Sequence, residues 1–378
     1  MAGDLKGLGD VKINATYSNK QIPLRAVTIT ENFNTLGPVM DANLIDLYGQ
    51  FGKIEGKETD KIEVSLEDPY GRKNAFNFVP FEHANLNDAA EEVGSGRQQI
   101  SQLRCVSPEF RTAQKKPVNK SYNNKSTTDI SSDILKNFYQ TDKEIKVLDE
   151  SKAKKNMTFQ NDNPVGAITE KLEREHISTV GKSSAYVTYQ QQQNGKTDYI
   201  ITTFDERMKQ KPIAKYSRRN DAFSRQDASN MFTLLEFNIS SGFNKLREPD
   251  EFNGETSYNA STGQVFINPG KAKDGKPIGK KQIRTQYDKV NSPSPHSTAE
   301  ARTSRAKMYS KLSNTRAIAK IYGNPNLYLG CVVDIDSGTN PGPVNGKCLV
   351  TSIQHHIAGE GVKPRYTQTL ELVPIIES

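Results

Sequence analysis

Apolar and polar residues alternate without a break through Ile62-Glu63-Val64-Ser65-Leu66, and a period of two marks a strand with one buried face. Asp68-Pro69-Tyr70-Gly71 follows as a turn, since Pro presets φ and Gly takes conformations closed to other residues. Ala75, Phe76, Phe78, Val79 and Phe81 predict the return strand. Further β-favouring runs lie at Leu24, Val27 and Ile29, at Leu44, Ile45 and Leu47, and at Ile100, Leu103, Cys105 and Val106. Strands at this spacing across residues 21–110 predict an antiparallel barrel or sandwich. Residues 1–20 read as a polar N-terminal arm.

Residues 111–128 are rich in Lys, Asn and Ser, lack periodicity, and read as a linker. From Asp129 to Tyr139 the apolar residues fall at helical spacing. A second helix is predicted from Asn163-Pro164 through Leu172, with Pro164 at a first helical position. Ala185–Tyr189 and Tyr199–Phe204 flank Asn194-Gly195, the strongest short hairpin signal, and Gln190–Gln193 reads as a polar arm of that hairpin. Residues 129–215 therefore read as an α+β insert.

Alternation returns at Met231, Thr233, Leu235, Phe237 and Ile239, which share one predicted face. Residues 248–296 are rich in Gly, Pro, Asn and Lys and read as a long excursion, with a short hairpin near Gln264-Val265-Phe266-Ile267. Ser297 to Leu312 predicts a helix. Strands at Ala317–Ile321, Cys331–Ile335, Cys348–Ile357 and Arg365–Val373 close the chain. The fold class is mainly β with an α+β insert: two antiparallel β-barrels, the second split in sequence between residues 216–247 and 297–378.

Composition adds one point. Only 34% of residues are hydrophobic and mean hydropathy is −0.71, yet 15 Tyr and 15 Phe argue against wholesale disorder. Half-buried elements that complete their burial against partners reconcile the two. The net charge of +7 comes from 51 basic and 44 acidic residues interspersed along the chain, which describes a solvated mixed surface. Met1 to Asp10 has no apolar core of a signal peptide, and no apolar run nears the roughly 20 residues of a membrane span. Cys105, Cys331 and Cys348, an odd count, fit free thiols made in a reducing cytoplasm.

Site chemistry is sparse. Gly270 to Gly275-Lys276 matches a phosphate loop until position 277, where Pro replaces the hydroxyl that would reach Mg²⁺; a basic turn within Lys271–Lys281 explains it. His355-His356 are strand neighbours that face opposite ways and do not chelate one ion together. His83, His176 and His296 lie in unrelated contexts. Asp334 and Asp336 share a strand face, suited to Ca²⁺ or acid–base work, but Gly338, Asn340, Pro341 and Gly342 make them the end of a strand entering a turn. No Gly-x-Ser-x-Gly elbow occurs. No catalytic, cofactor or metal residue is assigned, and a scaffold is expected rather than an enzyme.

Two stretches carry a family pattern. The first is Leu44-Ile45-Asp46-Leu47-Tyr48-Gly49, Gly52-Lys53-Ile54-Glu55-Gly56-Lys57-Glu58 and Asp60 through Leu66. The second is Asn326 through Ile335, Gly346 through His356 and Tyr366 through Leu372. Both resemble the central baseplate hub proteins of contractile-tailed phages, a family related to phage late control protein D and to the hub part of type VI secretion spike proteins. The resemblance implies two tail-tube-like barrels per chain and a homotrimer that forms a pseudo-sixfold ring. Such a ring joins the sixfold tail tube to the threefold central spike and leaves a channel for DNA ejection. The implied partners are the spike, the tube or tube-initiator protein, the tape measure protein and the surrounding wedge proteins. DNA passes only in transit and no membrane is involved. The implied place is the virion, after assembly in the host cytoplasm. With the chain ending at Ser378, the spike is expected to be a separate protein. Residues 248–296 have no counterpart in the pattern. The alternatives are a tube or tube-initiator subunit, a basic nucleic-acid-binding protein, or a cell-wall enzyme resting on Asp334 and Asp336.

Overall fold

The computed structural model describes residues 9–17, 20–22, 24–46, 60–86, 92–93, 96–97, 99–178, 183–217, 232–241, 256–259, 264–267, 282–286, 301, 304–305, 308–309, 312, 315–337, 346–358 and 364–375. Among the described residues the first unit is built on six longer strands: β1 (Lys12–Tyr17), β2 (Leu24–Asn32), β3 (Val39–Asp46), β4 (Ile62–Glu67), β5 (Lys73–Leu86) and β6 (Gln99–Val106). Alternation puts Ile62, Val64 and Leu66 inside, beside Phe76, Phe78, Met40, Leu44, Leu103 and Cys105. The polar arm expected at the N-terminus is a strand from Lys12 to Tyr17, and Val11 and Ala15 enter this core. The signal is present as an alternation of Val11, Ile13, Ala15 and Tyr17 with Lys12, Asn14 and Thr16, set in a polar stretch that masks it. In space the strands run β2-β3-β6-β5-β4-β1, all neighbours antiparallel.

An α+β insert follows. Helix α1 (Pro108–Lys115) starts where Ser107 Oγ accepts from the Phe110 N–H, and strand β7 (Val118–Ser126) continues to helix α2 (Thr127–Asn137). Residues 111–128 are thus not a linker. Only Val118 and Tyr122 of β7 turn inward, a spacing of four that shows no strand period. Strand β8 (Glu144–Val147) and strand β9 (Lys154–Asp162) come next, then a turn of α-helix at Pro164–Gly166 that runs on as π-helix over Ala167–Leu172. Strands β10 (Tyr186–Gln193) and β11 (Lys196–Thr203) form the expected hairpin, with Asn194 and Gly195 both at positive φ as a tight turn requires. Its arm is not freely polar: Gln190 and Gln192 are buried, and Gln192 Nε2 donates to the Ala75 carbonyl of β5. Arg111 donates to the Pro80 carbonyl of the same strand. The insert therefore caps part of an open sheet edge.

The second unit comprises β12 (Lys215–Ser217), β13 (Leu234–Ser241), β14 (Thr315–Tyr322), β15 (Val332–Asp336), β16 (Gly346–Ala358) and β17 (Arg365–Pro374). Its spatial order is β13-β14-β17-β16-β15-β12, the order of the first unit strand for strand. The irregularities repeat too. The second strand of each unit is shifted by one residue against the third, between Leu24 and Ala26 and between Leu234 and Glu236. The fifth is shifted against the sixth, between Pro80 and Glu82 and between Val350 and Ser352. One difference is direction: β12 lies parallel to β15, whereas β1 is antiparallel to β4. The shift in β13 corrects the expected face, since Leu234 packs inward and Leu235 is exposed; Met231 lies outside the described residues.

A Ser217↔Thr233 bridge closes the second ring between its first and second strands. The first ring is parted at that place. There Ser352–Ala358 of β16 pair with β2, and Asp10 bridges Arg365 at the start of β17. All these strands belong to one 13-stranded sheet that includes short Lys20–Gln21. In the excursion, Thr256–Asn259, Gln264–Ile267 and Gln282–Gln286 form a three-stranded sheet rather than a lone hairpin. Ala301, Arg305, Met308 and Leu312 lie on one helical face and are buried.

Gly323 sits where no side chain fits: an added Cβ would come within 1.9 Å of the Tyr366 ring. Gly323→Ala is expected to cost about 2–3 kcal/mol by overpacking, read as a lowered denaturant midpoint with an unchanged slope.

Candidate functional site

Strands β16 and β17 run through both units, so their inner faces serve two cores in turn. Ile353, Leu370 and Leu372 belong to the core of the second unit, and Ile357 and Tyr366 to that of the first. Between them stand His355 and Gln368, directly opposite in register and both 0% exposed. A polar pair thus occupies the waist where one apolar core gives way to the other.

The hydrogen bonds here dictate each group's role. Gln368 Oε1 accepts from the Asn324 N–H at 2.8 Å while its Nε2 donates to the Asn324 carbonyl at 3.2 Å, so the amide cannot flip. That same Nε2 lies 3.3 Å from His355 Nδ1, and the Tyr366 hydroxyl lies 2.8 Å from it. With a fixed donor facing Nδ1, this nitrogen accepts, and Nε2 carries the proton given to Glu31 Oε1 at 2.8 Å. Asn324 Nδ2 donates to the Tyr216 hydroxyl at 3.0 Å, and Arg72, ion-paired with buried Asp68, donates to Asn324 Oδ1 at 2.9 Å. Glu31, Asp68 and Arg72 come from the first unit; Tyr216, Asn324, His355 and Gln368 come from the second. The carboxylate–imidazole–hydroxyl row resembles a proton relay, but His355 and Tyr366 are enclosed by protein. What this geometry does is tie the two strand units together.

A second buried cluster ties the insert together. His176 Nδ1 lies 2.7 Å from Thr127 Oγ1, which donates to Ser151 Oγ. Burial, with the Arg305 guanidinium nearby, pushes the His176 imidazole down to about 3. Arg305 itself donates to the carbonyls of Arg174, His176 and Ser184, fastening the 301–312 helix to the insert.

The residues singled out from sequence do not converge. His355 faces inward, and half-buried His356 sits 3.5 Å from Thr28 Oγ1 on the other face. Asp334 is opposite Lys347 and beside Lys215, and Asp336 is exposed at the strand end. Among the described residues no cluster of His, Cys, Asp or Glu is placed to hold a metal ion, and no helix is long and apolar enough to cross a membrane. The three buried thiols form no disulfide, and burial pushes Cys331 and Cys348 up to about 12. Gly270–Lys276, the run to Lys281, His296 and residues 47–59 of the first motif lie outside the described residues. Sequence reasoning missed Glu31 and Gln368. Each holds a slot that alternation assigns to the core (Val27, Ile29, Glu31; Tyr366, Gln368, Leu370), and a polar residue there is the signal that could have found them.

This architecture matches solved structures along nearly its whole length. The 43 kDa tail protein of prophage MuSo2 from Shewanella oneidensis aligns with a TM-score of 0.60 and 11% identity, covering 96% of this chain and 98% of that one. A tail protein from Neisseria meningitidis gives 0.55 and 10%, over 96% of each chain. A type VI secretion component of Escherichia coli, described as structurally similar to the T4 tail proteins gp27 and gp5, gives 0.57 and 9%, over 96% of this chain and 77% of that one. The fold is shared with phage tail proteins. No family model matches the sequence, and no curated protein matches it. The mainly β class and the resemblance to hub-related tail proteins read from the sequence agree with these matches.

Two outcomes test the clusters. Glu31→Ala strands a buried imidazole N–H and is expected to cost about 2–3 kcal/mol in urea unfolding. For His176 the folded pKa lies below the unfolded one, so the unfolded chain takes up the proton first. Its stability contribution is whole above about 6.5 and is lost as pH falls toward 3. His176→Gln is expected to flatten the fall in thermal midpoint between pH 7 and pH 5, a difference of about 2 kcal/mol.

Proposed function

We propose that this chain is the hub of a contractile phage tail baseplate: a homotrimeric ring that joins a sixfold tail tube to a threefold central spike and leaves a channel through which DNA is ejected. The observation that carries this reading is the strand repeat. Two six-stranded units of one spatial order, with the same two register shifts, lie in one chain. Three such chains present six similar units at one end while the trimer keeps threefold symmetry, which reconciles the mismatch. Closed symmetry repeats each contact around the ring, and a polar chain with exposed Phe81, Ile239 and Ile318 has apolar surface left for neighbours. The shared fold with tail proteins and a type VI secretion component supports the same reading.

On this reading the partners are the spike, the tube or tube-initiator protein, the tape measure protein and the wedge proteins, and the chain resides in the virion without catalysing a reaction. A tube subunit is less well served, since one unit per chain suffices for a sixfold ring. A nucleic-acid-binding role would require affinity that falls steeply with salt. A cell-wall enzyme resting on Asp334 and Asp336 has no enclosed site around that pair among the described residues.

Light scattering is expected to return three times the 42.1 kDa chain mass, and an image of the tail at this layer a ring of six similar densities. A monomer both alone and with its tail partners contradicts the proposal.

A further inference from the structure

Arg207 is a buried cation that meets no carboxylate among the described residues. It lies on the short helix Phe204–Met208 and is 6% exposed. Its Nη2 donates to Gln191 Oε1 at 2.8 Å, a neutral acceptor. The carboxylates beside it in sequence turn elsewhere: Asp205 accepts from the Ser183 N–H at 3.0 Å, and Glu206 pairs with Lys209 at 2.9 Å. The neighbouring Cys331 thiol, pushed up by burial, brings no negative charge. Arg207 Nε is enclosed and has no hydrogen-bond partner among the described residues, and the same holds for the hydroxyl of Tyr189, whose ring lies under the guanidinium.

These two orphan groups meet at one place, the bare face of Gly330. A Cβ added to Gly330 would stand 2.6 Å from the Tyr189 hydroxyl oxygen and 3.0 Å from Arg207 Nε. Gly330 is fixed there at φ +78°. Its N–H donates to the Val350 carbonyl at 3.0 Å, and its carbonyl accepts from Gln210 Nε2 at 3.0 Å. The surroundings are apolar, since Tyr189 shares a core with Leu329, Val332 and Leu349. Burial raises the Tyr189 hydroxyl above its ordinary range, so it keeps its proton and stays a donor.

We infer that Arg207 Nε, the Tyr189 hydroxyl and the bare face of Gly330 form a buried site for one small inorganic anion of halide size. The anion joins the insert, which supplies Tyr189 and Arg207, to the second unit, which supplies Gly330. A charge buried in apolar surroundings without a counter-ion is costly, and attraction to an anion is strong where water is excluded. Two donors beside a positive charge select a ligand that only accepts. A water molecule would satisfy the donors but leave the charge uncompensated. The enclosure of both donor atoms excludes a bulky carboxylate. Because the site needs residues from two parts of the fold, the anion binds the folded chain alone and stabilises it by mass action.

The test reads the thermal midpoint of the full chain as chloride or bromide replaces gluconate, an anion too bulky for the site, at constant ionic strength. The midpoint is expected to rise by about 2–4 °C with either halide. Tyr189→Phe keeps the ring and removes one donor, and is expected to raise the halide concentration at half effect about tenfold. Arg207→Met removes the charge and is expected to abolish the response. Crystals of the unmodified chain grown in bromide decide the matter even if a variant fails to fold. An anomalous bromide peak within hydrogen-bonding reach of Arg207 Nε and the Tyr189 hydroxyl is the expected result. A midpoint indifferent to halide, a response that survives unchanged in both variants, or a water in that place with no bromide peak overturns the assignment.

Discussion

Two apolar cores share one pair of strands, and most of the structure answers to that constraint. Side chains on β16 and β17 alternate with a period of two, so each inward slot must serve one core or the other. The slot at the crossing serves neither. An apolar residue there would merge the cores and allow many relative placements of nearly equal energy. A directional network allows few. His355 and Gln368 hold that slot, and their partners come from both units. A buried network of this kind stabilises only when complete, because an orphaned donor costs as much as a made bond contributes. Completeness here depends on the Asn324 main chain, which pins the Gln368 amide and through it the proton on His355.

The second constraint is the management of sheet edges. A 13-stranded sheet in a single chain can close, be covered or pair with something else. The second unit closes through a bridge. The first is parted and filled by strands of the second. The near half of the β5 edge is capped by Gln192 and Arg111 from the insert, which gives buried Gln192 and half-buried Arg111 a structural purpose. The low hydrophobic content of 34% belongs with this picture. Many strands bury one face only, and some large apolar side chains are exposed.

Much of this was legible beforehand where a pattern is local. Alternation from Ile62 to Leu66, the Asn194-Gly195 turn and the Asn163-Pro164 helix start are each settled by residues a few positions apart. The failures are equally local in cause. In β7 only Val118 and Tyr122 turn inward, so nothing repeats at two. In β1 the alternation of Val11, Ile13, Ala15 and Tyr17 is present but short and set in a polar stretch. In β13 a one-residue shift breaks the expected face between Leu234 and Leu235. That His355 and His356 face opposite ways was legible, but not which is inward, and the partner of His355, Glu31, stands 324 positions away, where no spacing rule reaches.

The sequence by itself determined where the alternating segments become strands, that two blocks of them exist, and that an α+β unit divides them, because the period of alternation is an intrinsic property of neighbouring residues. Tertiary structure alone decided that the two blocks share one strand order, that the first ring is closed by strands of the second, and that Glu31, His355, Gln368 and Asn324 meet. Those outcomes depend on which edges pair across hundreds of residues. Backbone hydrogen bonds are chemically alike in every strand, so the choice among edges falls to packing and to the few directional side chains at the waist.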